Sequence, residues 1–196
     1  MKKLFVIIWI FSFYSCNEDQ KTKEKNTYQI LSLLINEYGK PTIPPREIYN
    51  LKPFTDKQID SIVNIEQNLV IYPLLEKSSY KFSKQENLDD EFNRLLDGIK
   101  GKGNSSPIDL SKITIVKPYE LSILDTLKLK EDIRYVAKNF DKIINLHVVS
   151  FNQEYNKAAT IIGVGSGYLN GYSSLVFLER KNGKWIIKES KTLTIS

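Results

Sequence analysis

His147 is the only imidazole of the chain and Cys16 its only thiol, so chemistry that needs either group has one residue to use. A hydrolytic triad would need His147 held between a nucleophile and an orienting carboxylate. It sits instead within Asn145-Leu146-His147-Val148-Val149, a strand-like run with no serine or acid at a recognisable spacing, and a satisfied sheet histidine is the plainer reading. One Cys with one His also excludes a Cys/His zinc site and an internal disulfide framework. Two groups of acids could work as acid and base or bind Ca²⁺: Asp56 with Asp60, and Asp89-Asp90-Glu91. Neither has calcium-loop spacing, and acids at a helix start are already accounted for by the helix dipole. No metal site, catalytic residue or cofactor is expected, although a carboxylate pair brought together only by the fold is invisible at this level.

The run Gly163-Val164-Gly165-Ser166-Gly167 has the glycines that let backbone amides approach a phosphate. A dinucleotide fingerprint would need a further glycine at Tyr168 and a helix after it, where residues 174–180 read as a strand. Ser166 is not a nucleophile elbow, because Val164 and Tyr168 stand at the flanking glycine positions. Two readings of the segment stay open. One is a long hairpin loop; the other is a binding loop, with Gly165 giving the backbone freedom and Tyr168, Leu169 and Tyr172 presented to a partner.

These residues must be carried by a chain of 196 residues with 41% hydrophobic and 26% charged side chains, an ordinary balance for one folded domain. The chain opens differently. Met1-Lys2-Lys3 is followed by eight apolar residues, Leu4 to Phe11, and then by Ser12-Phe13-Tyr14-Ser15, the layout of a secretory signal. As a helix, residues 4–14 would rise about 16 Å, half of a hydrocarbon core of about 30 Å. Cys16 follows immediately. Phe13-Tyr14-Ser15-Cys16 resembles the loose lipobox of Bacteroidetes lipoproteins, which implies cleavage between Ser15 and Cys16 and a diacylglycerol on the Cys16 thiol. Asn17-Glu18-Asp19 is similar to the acidic signal for export to the outer face of the outer membrane in that group. The resemblance therefore implies an outer-membrane location, facing periplasm or cell surface, with the lipid as the membrane contact.

Residues 1–15 are thus expected as a signal peptide, 16–27 as a polar tether and 28–196 as a single domain. Asn17 to Asn26 contains no apolar residue and could extend about 33 Å. Loss of Lys2 and Lys3 lowers the formal charge from +5 to +3, and no nucleic-acid module accompanies the remaining lysines, so no nucleic-acid partner is expected.

Helical spacing is expected over residues 28–38, stopped by Gly39 and Pro41, and after Thr55, where Thr55-Asp56-Lys57-Gln58 fits a capping box with Phe54 and Ile59 as a staple. Ile59, Ile62 and Val63 line that helix, and Leu69 to Leu75, broken by Pro73, is ambiguous between helix and strand. Ser83 to Glu86 fits a second capping box before Leu88, Phe92, Leu95, Leu96 and Ile99. Ile113 to Val116 reads as a strand and Glu131 to Phe140 as a helix with Ile133, Val136, Ala137 and Phe140 on its stripe. Four strands follow: 143–151, 158–164, 174–180 and 184–189. Asn182-Gly183 supplies a type I′ turn, which places Arg180 opposite Trp185 and Leu178 opposite Ile187, with Val176, Leu178, Trp185 and Ile187 on one face. The fold class is α+β, with N-terminal helices packed on one face of a C-terminal antiparallel β-meander.

Val149 to Glu189 resembles the tail of a family of uncharacterised Bacteroidetes lipoproteins. The carriers are Ser150-Phe151-Asn152, Asn156-Lys157-Ala158, the glycine segment and the run Leu178 to Trp185. Members often carry cysteines in the glycine loop; Gly167 to Gly171 here has none, so no role for those cysteines carries over. Three functions follow from these observations. The first is a lipid-anchored, non-enzymatic module that binds an envelope or secreted protein. The alternatives are a cell-wall or glycan hydrolase using carboxylates or His147, and a small-ligand carrier.

Overall fold

The computed structural model describes residues 2–43, 52–80, 82, 89–101, 103, 105–167 and 170–195, with side chains from residue 18 onward. Among the described residues, five helices, α1 (Lys2–Tyr38), α2 (Asp56–Val63), α3 (Asp90–Ile99), α4 (Thr126–Glu131) and α5 (Tyr135–Asn139), accompany nine strands. The strands are β1 (Gln67–Ile71), β2 (Leu74–Leu75), β3 (Ser106–Pro107), β4 (Tyr119–Ile123), β5 (Lys142–Leu146), β6 (Ser150–Phe151), β7 (Lys157–Ser166), β8 (Asn170–Lys181) and β9 (Lys184–Ile195). The protein is α+β, as the order of helices and strands implies. Its main sheet runs β4-β1-β5-β7-β8-β9, with β6 beside β7, while β2 and β3 form a separate ribbon.

The C-terminal half of the sheet follows from local chemistry. Asn182 and Gly183 take φ of 50° and 78°, which matches the right-handed twist of the flanking strands. The resulting register pairs Arg180 with Trp185 and Leu178 with Ile187. Val176, Leu178 and Trp185 are buried together on the face that meets α1, with Ile187 packed beside them. The other half is parallel: β1 lies between β4 and β5 and pairs with both in the same direction. Leu69, Val70 and Ile71 are fully buried, so this strand carries no alternation and reads as an unbroken apolar run.

Both faces are covered. Ile30, Leu31, Leu34 and Ile35 of α1 fill one side against Leu69, Ile144, Ile162 and Val176. Phe92, Leu95, Leu96 and Ile99 of α3 fill the other against Ala159, Ile161, Leu175 and Phe177, while Val136 of α5 covers Val70. The helices therefore occupy two faces rather than one. The α2 capping box forms, with the Thr55 amide donating to Gln58 Oε1 at 3.0 Å, and Ile59, Ile62 and Val63 are half-buried. Ser83 to Leu88, where a second box was expected, lies outside the described residues. Asp89 caps α3 by accepting from the Phe92 amide at 2.9 Å.

Four expectations are corrected. Ile113 to Val116 is extended but pairs with no strand, because α1 side chains take its backbone groups. The Thr114 amide donates to Ser32 Oγ at 2.9 Å, Asn36 Nδ2 donates to the Thr114 carbonyl at 2.9 Å, and the Val116 amide donates to Asn36 Oδ1 at 2.8 Å. The helix expected over 131–140 shortens to α5, while Glu131 ends the separate α4; between them Asp132 accepts from the Arg134 amide, and Ile133 is 67% exposed. The strand expected over 143–151 divides into β5 and β6 around His147. Finally, residues 18–26 continue α1 instead of extending. Eight of them are exposed, but Asn26 is 2% exposed and accepts at 2.9 Å from the indole N–H of Trp185, itself 6% exposed.

Candidate functional site

Period-two alternation along β5 puts Lys142, Ile144 and Leu146 on the α1 face, so a cation opens a row of otherwise apolar core positions. Lys142 is 6% exposed. Its Nζ donates to the carbonyls of Tyr38, at 3.2 Å, and of Lys40, which places a positive charge at the C-terminal end of α1. Helix C-termini present unpaired carbonyls and a partial negative charge, so the ammonium is held by dipoles rather than by a carboxylate. Burial pushes its pKa below the usual lysine range.

Two tyrosines stand beside it. The hydroxyls of Tyr38 and Ser190 share a hydrogen bond of 2.7 Å, which ties the end of α1 to β9. Burial raises the Tyr38 pKa, with the neighbouring Glu37 charge adding to it and the Ser190 bond opposing it. Tyr172 of β8 is 38% exposed and its pKa is likewise raised by burial, then by Tyr38. Leu33, Tyr38, Lys142, Tyr172, Ile187 and Ser190 line an open groove of about 660 Å³. Past Tyr172 it runs into a second hollow of about 510 Å³ over Ser166, Asn170 and Thr192, and Thr42, Lys142 and Tyr172 line both. The arrangement offers aromatic surface, hydroxyls and a buried cation to a bound segment, beside the Lys40–Glu37 ion pair that also lines it.

No family model, curated protein or solved structure matches this chain. Its site is therefore read from its own residues.

Of the residues singled out in the sequence, Tyr172 enters this groove. Gly165 does not act as a flexible element: it is paired with Gly171 inside the β7–β8 ladder, and a Cβ there would lie 2.9 Å from Ile143 Cγ2. Glycine is needed at this point because Ile143 packs against the strand. The ladder runs from Lys157 with Glu179 to Ser166 with Asn170, so most of the expected loop is strand. Gly167 has φ of 73° there. Tyr168 and Leu169 lie outside the described residues. Ser15 and Cys16 fall in the first half of α1, and their side chains also lie outside the described residues.

His147 packs between segments. Its Nδ1 is 3.0 Å from the Glu76 carbonyl and its amide donates to the Ile161 carbonyl at 3.1 Å. Burial holds its pKa below the usual histidine range, with the Glu76 contact opposing that shift. No hydroxyl or carboxylate hydrogen-bonds to its ring among the described residues. The acidic run is occupied as well: Lys157 Nζ pairs with Asp89 at 2.7 Å and Glu91 at 2.6 Å, which clamps the start of α3 to β7. Asp56 and Asp60 are exposed on α2. Among the described residues no three His, Cys, Asp or Glu side chains gather to hold a metal ion.

Sequence reasoning did not find Lys142 or Tyr38. The available signal was a lysine two residues before Ile144 in an alternating strand, at a position where the core face calls for an apolar side chain.

Proposed function

We propose that this chain is a lipid-anchored envelope protein, cleaved behind Ser15 and acylated on Cys16, whose α+β domain binds another envelope component or a secreted protein without catalysing a reaction. The observation that carries the anchoring is the position of the only thiol, directly after an apolar leader too short to span a bilayer. Binding rather than hydrolysis is favoured by the engagement of the titratable groups: His147 with a carbonyl, Asp89 and Glu91 with Lys157, and Lys142 with the end of α1. The groove at Tyr38, Lys142 and Tyr172 is the surface assigned to the partner. Its open shape suits an extended segment better than an enclosed small ligand.

Metabolic labelling with palmitate tests the anchor. Wild type should incorporate label and Cys16→Ala should not; equal labelling would reject acylation at this residue. The same two proteins should separate on detergent phase partitioning, the wild type into detergent and the variant into buffer.

A further inference from the structure

A second groove, of about 720 Å³, runs along the middle of α1, from Lys21 to Ser32. Lys21, Lys25 and Tyr28 reach it from one face of the helix, at successive turns. Lys112 comes from the helical turn Leu110–Lys112, and Lys184 and Trp185 come from the start of β9. Glu24 is the one acid in the lining, and Lys112 Nζ already holds it at 2.6 Å. Lys112 also lies 5.4 Å above the Tyr28 ring. Lys21, Lys25 and Lys184 are exposed and have no carboxylate partner among the described residues. The result is an aromatic floor rimmed by three unneutralised ammonium groups. The other flank of α1 carries Asp19 and Lys23 instead, with Asp19 accepting from the Tyr155 hydroxyl at 2.8 Å.

The groove's place in the chain says what would fill it. Along a helix, Lys21 rises about 7.5 Å beyond Cys16 and Lys25 about 14 Å, against a Debye length of about 8 Å at physiological salt. An anchored acyl chain at Cys16 would thus hold Lys21 within a Debye length of the charged surface that the lipid enters, and Lys25 and Lys184 as well when α1 lies along that surface. Half-buried Tyr28, beside these lysines, is a side chain of the kind that settles at headgroup depth, while buried Trp185 lies beneath it as a reporter. We infer that this groove is the face on which the domain rests against its own membrane, with Lys21, Lys25 and Lys184 taking the phosphate of an anionic lipid headgroup. The inference rests on the acylation of Cys16. The diacylglycerol supplies the attachment, and the basic groove fixes which face of the domain meets the headgroups.

After removal of the leader, Trp185 is the sole tryptophan, since the chain has two and the other is Trp9. Acylated protein purified from membranes should be reconstituted into vesicles of phosphatidylcholine, with or without phosphatidylglycerol, each carrying a trace of lipid with a nitroxide on its headgroup. Quenching of Trp185 should be strong with phosphatidylglycerol and weak without it, and raised salt should abolish the difference. The triple change Lys21→Gln, Lys25→Gln, Lys184→Gln should remove the anionic-lipid quenching, and each lysine lost should weaken the headgroup interaction about five-fold. Flotation with equal quenching in both lipids, or an unchanged triple variant, overturns the inference and leaves the anchor standing. Failure to float with either vesicle overturns the anchor and the inference together.

Discussion

Replacing Asn26 by Ala should release the first exposed turns of α1 while the sheet stays folded. The bond at stake is the 2.9 Å contact from the Trp185 indole N–H to Asn26 Oδ1, between side chains 6% and 2% exposed. A buried donor left without a partner costs about 1–3 kcal/mol. What else holds residues 18–25 is weak. The Lys112–Glu24 pair has both side chains about half exposed, and such pairs are worth about 0–1 kcal/mol. The remaining tie is the Tyr155 hydroxyl on Asp19. The equilibrium between docked and released helix should therefore move by a factor of about 5 to 150, at 1.4 kcal/mol per decade. Trypsin cleavage after Lys21, Lys23 and Lys25 reads that equilibrium directly when opening is fast compared with cutting. Mass spectrometry should show slow cutting at these sites in the wild type and faster cutting in Asn26→Ala. Trp185→Phe should release the helix too, and combining the two changes should add little, because both remove one bond. Wild-type cleavage as fast as in denaturant, or no acceleration in Asn26→Ala, would refute the docked helix and restore the extended tether.

Gly98→Ala gains about 1 kcal/mol of helix propensity, yet the new Cβ would lie 2.2 Å from Ser150 Oγ and 2.9 Å from Ser150 Cβ. The hydroxyl can rotate away and the Cβ cannot, so overpacking of about 1–3 kcal/mol should leave the variant less stable in urea. Adding Ser150→Gly should recover the loss, and a more stable single variant would disprove the close packing of α3 on β6. Burial lowers the His147 pKa, so the unfolded chain binds the proton first as pH falls below about 6.5. Wild type should lose stability relative to His147→Gln from that point down to the folded value, with a flat difference above it, as measured by thermal melts across pH. The Lys142 amine is lowered from 10.5, so the unfolded chain holds more protons in the window below that value. Wild type should gain stability relative to Lys142→Met as pH rises through the window; a difference independent of pH would mean that the amine is not buried.

How much of this was legible depended on where each residue's partner lies. The Asn182-Gly183 hairpin, its register and the shared face of Val176, Leu178, Trp185 and Ile187 were readable because turn and strands are neighbours in the chain. The capping box at Thr55 was readable for the same reason. Leu69 to Ile71 was not, since a strand buried on both faces loses its alternation and its partners lie near residues 119 and 142. Ile113 to Val116 has strand composition, but Ser32 and Asn36 of a helix complete its hydrogen bonds, which no local propensity encodes. Asn17 to Asn26 has no apolar residue to predict docking, and the residue that buries Asn26 is 159 positions away. At the groove, Tyr172 could be picked out by its place near the glycines. Lys142 could not, because its role depends on where α1 ends.

The packing of α1 on β9 also sets an order of assembly. Ile30, Leu31, Leu34 and Ile35 leave the ribosome among the first residues, while their cover includes Leu178 and Trp185, made almost last. Until those arrive, the greasy stripe has no lid, and contacts spanning most of the polypeptide are slow to close. A newborn copy thus stays loose for nearly its whole synthesis and would attract holding chaperones at its N-terminal third. Truncation within the final strand should accordingly expose the beginning of the molecule, not merely fray its end.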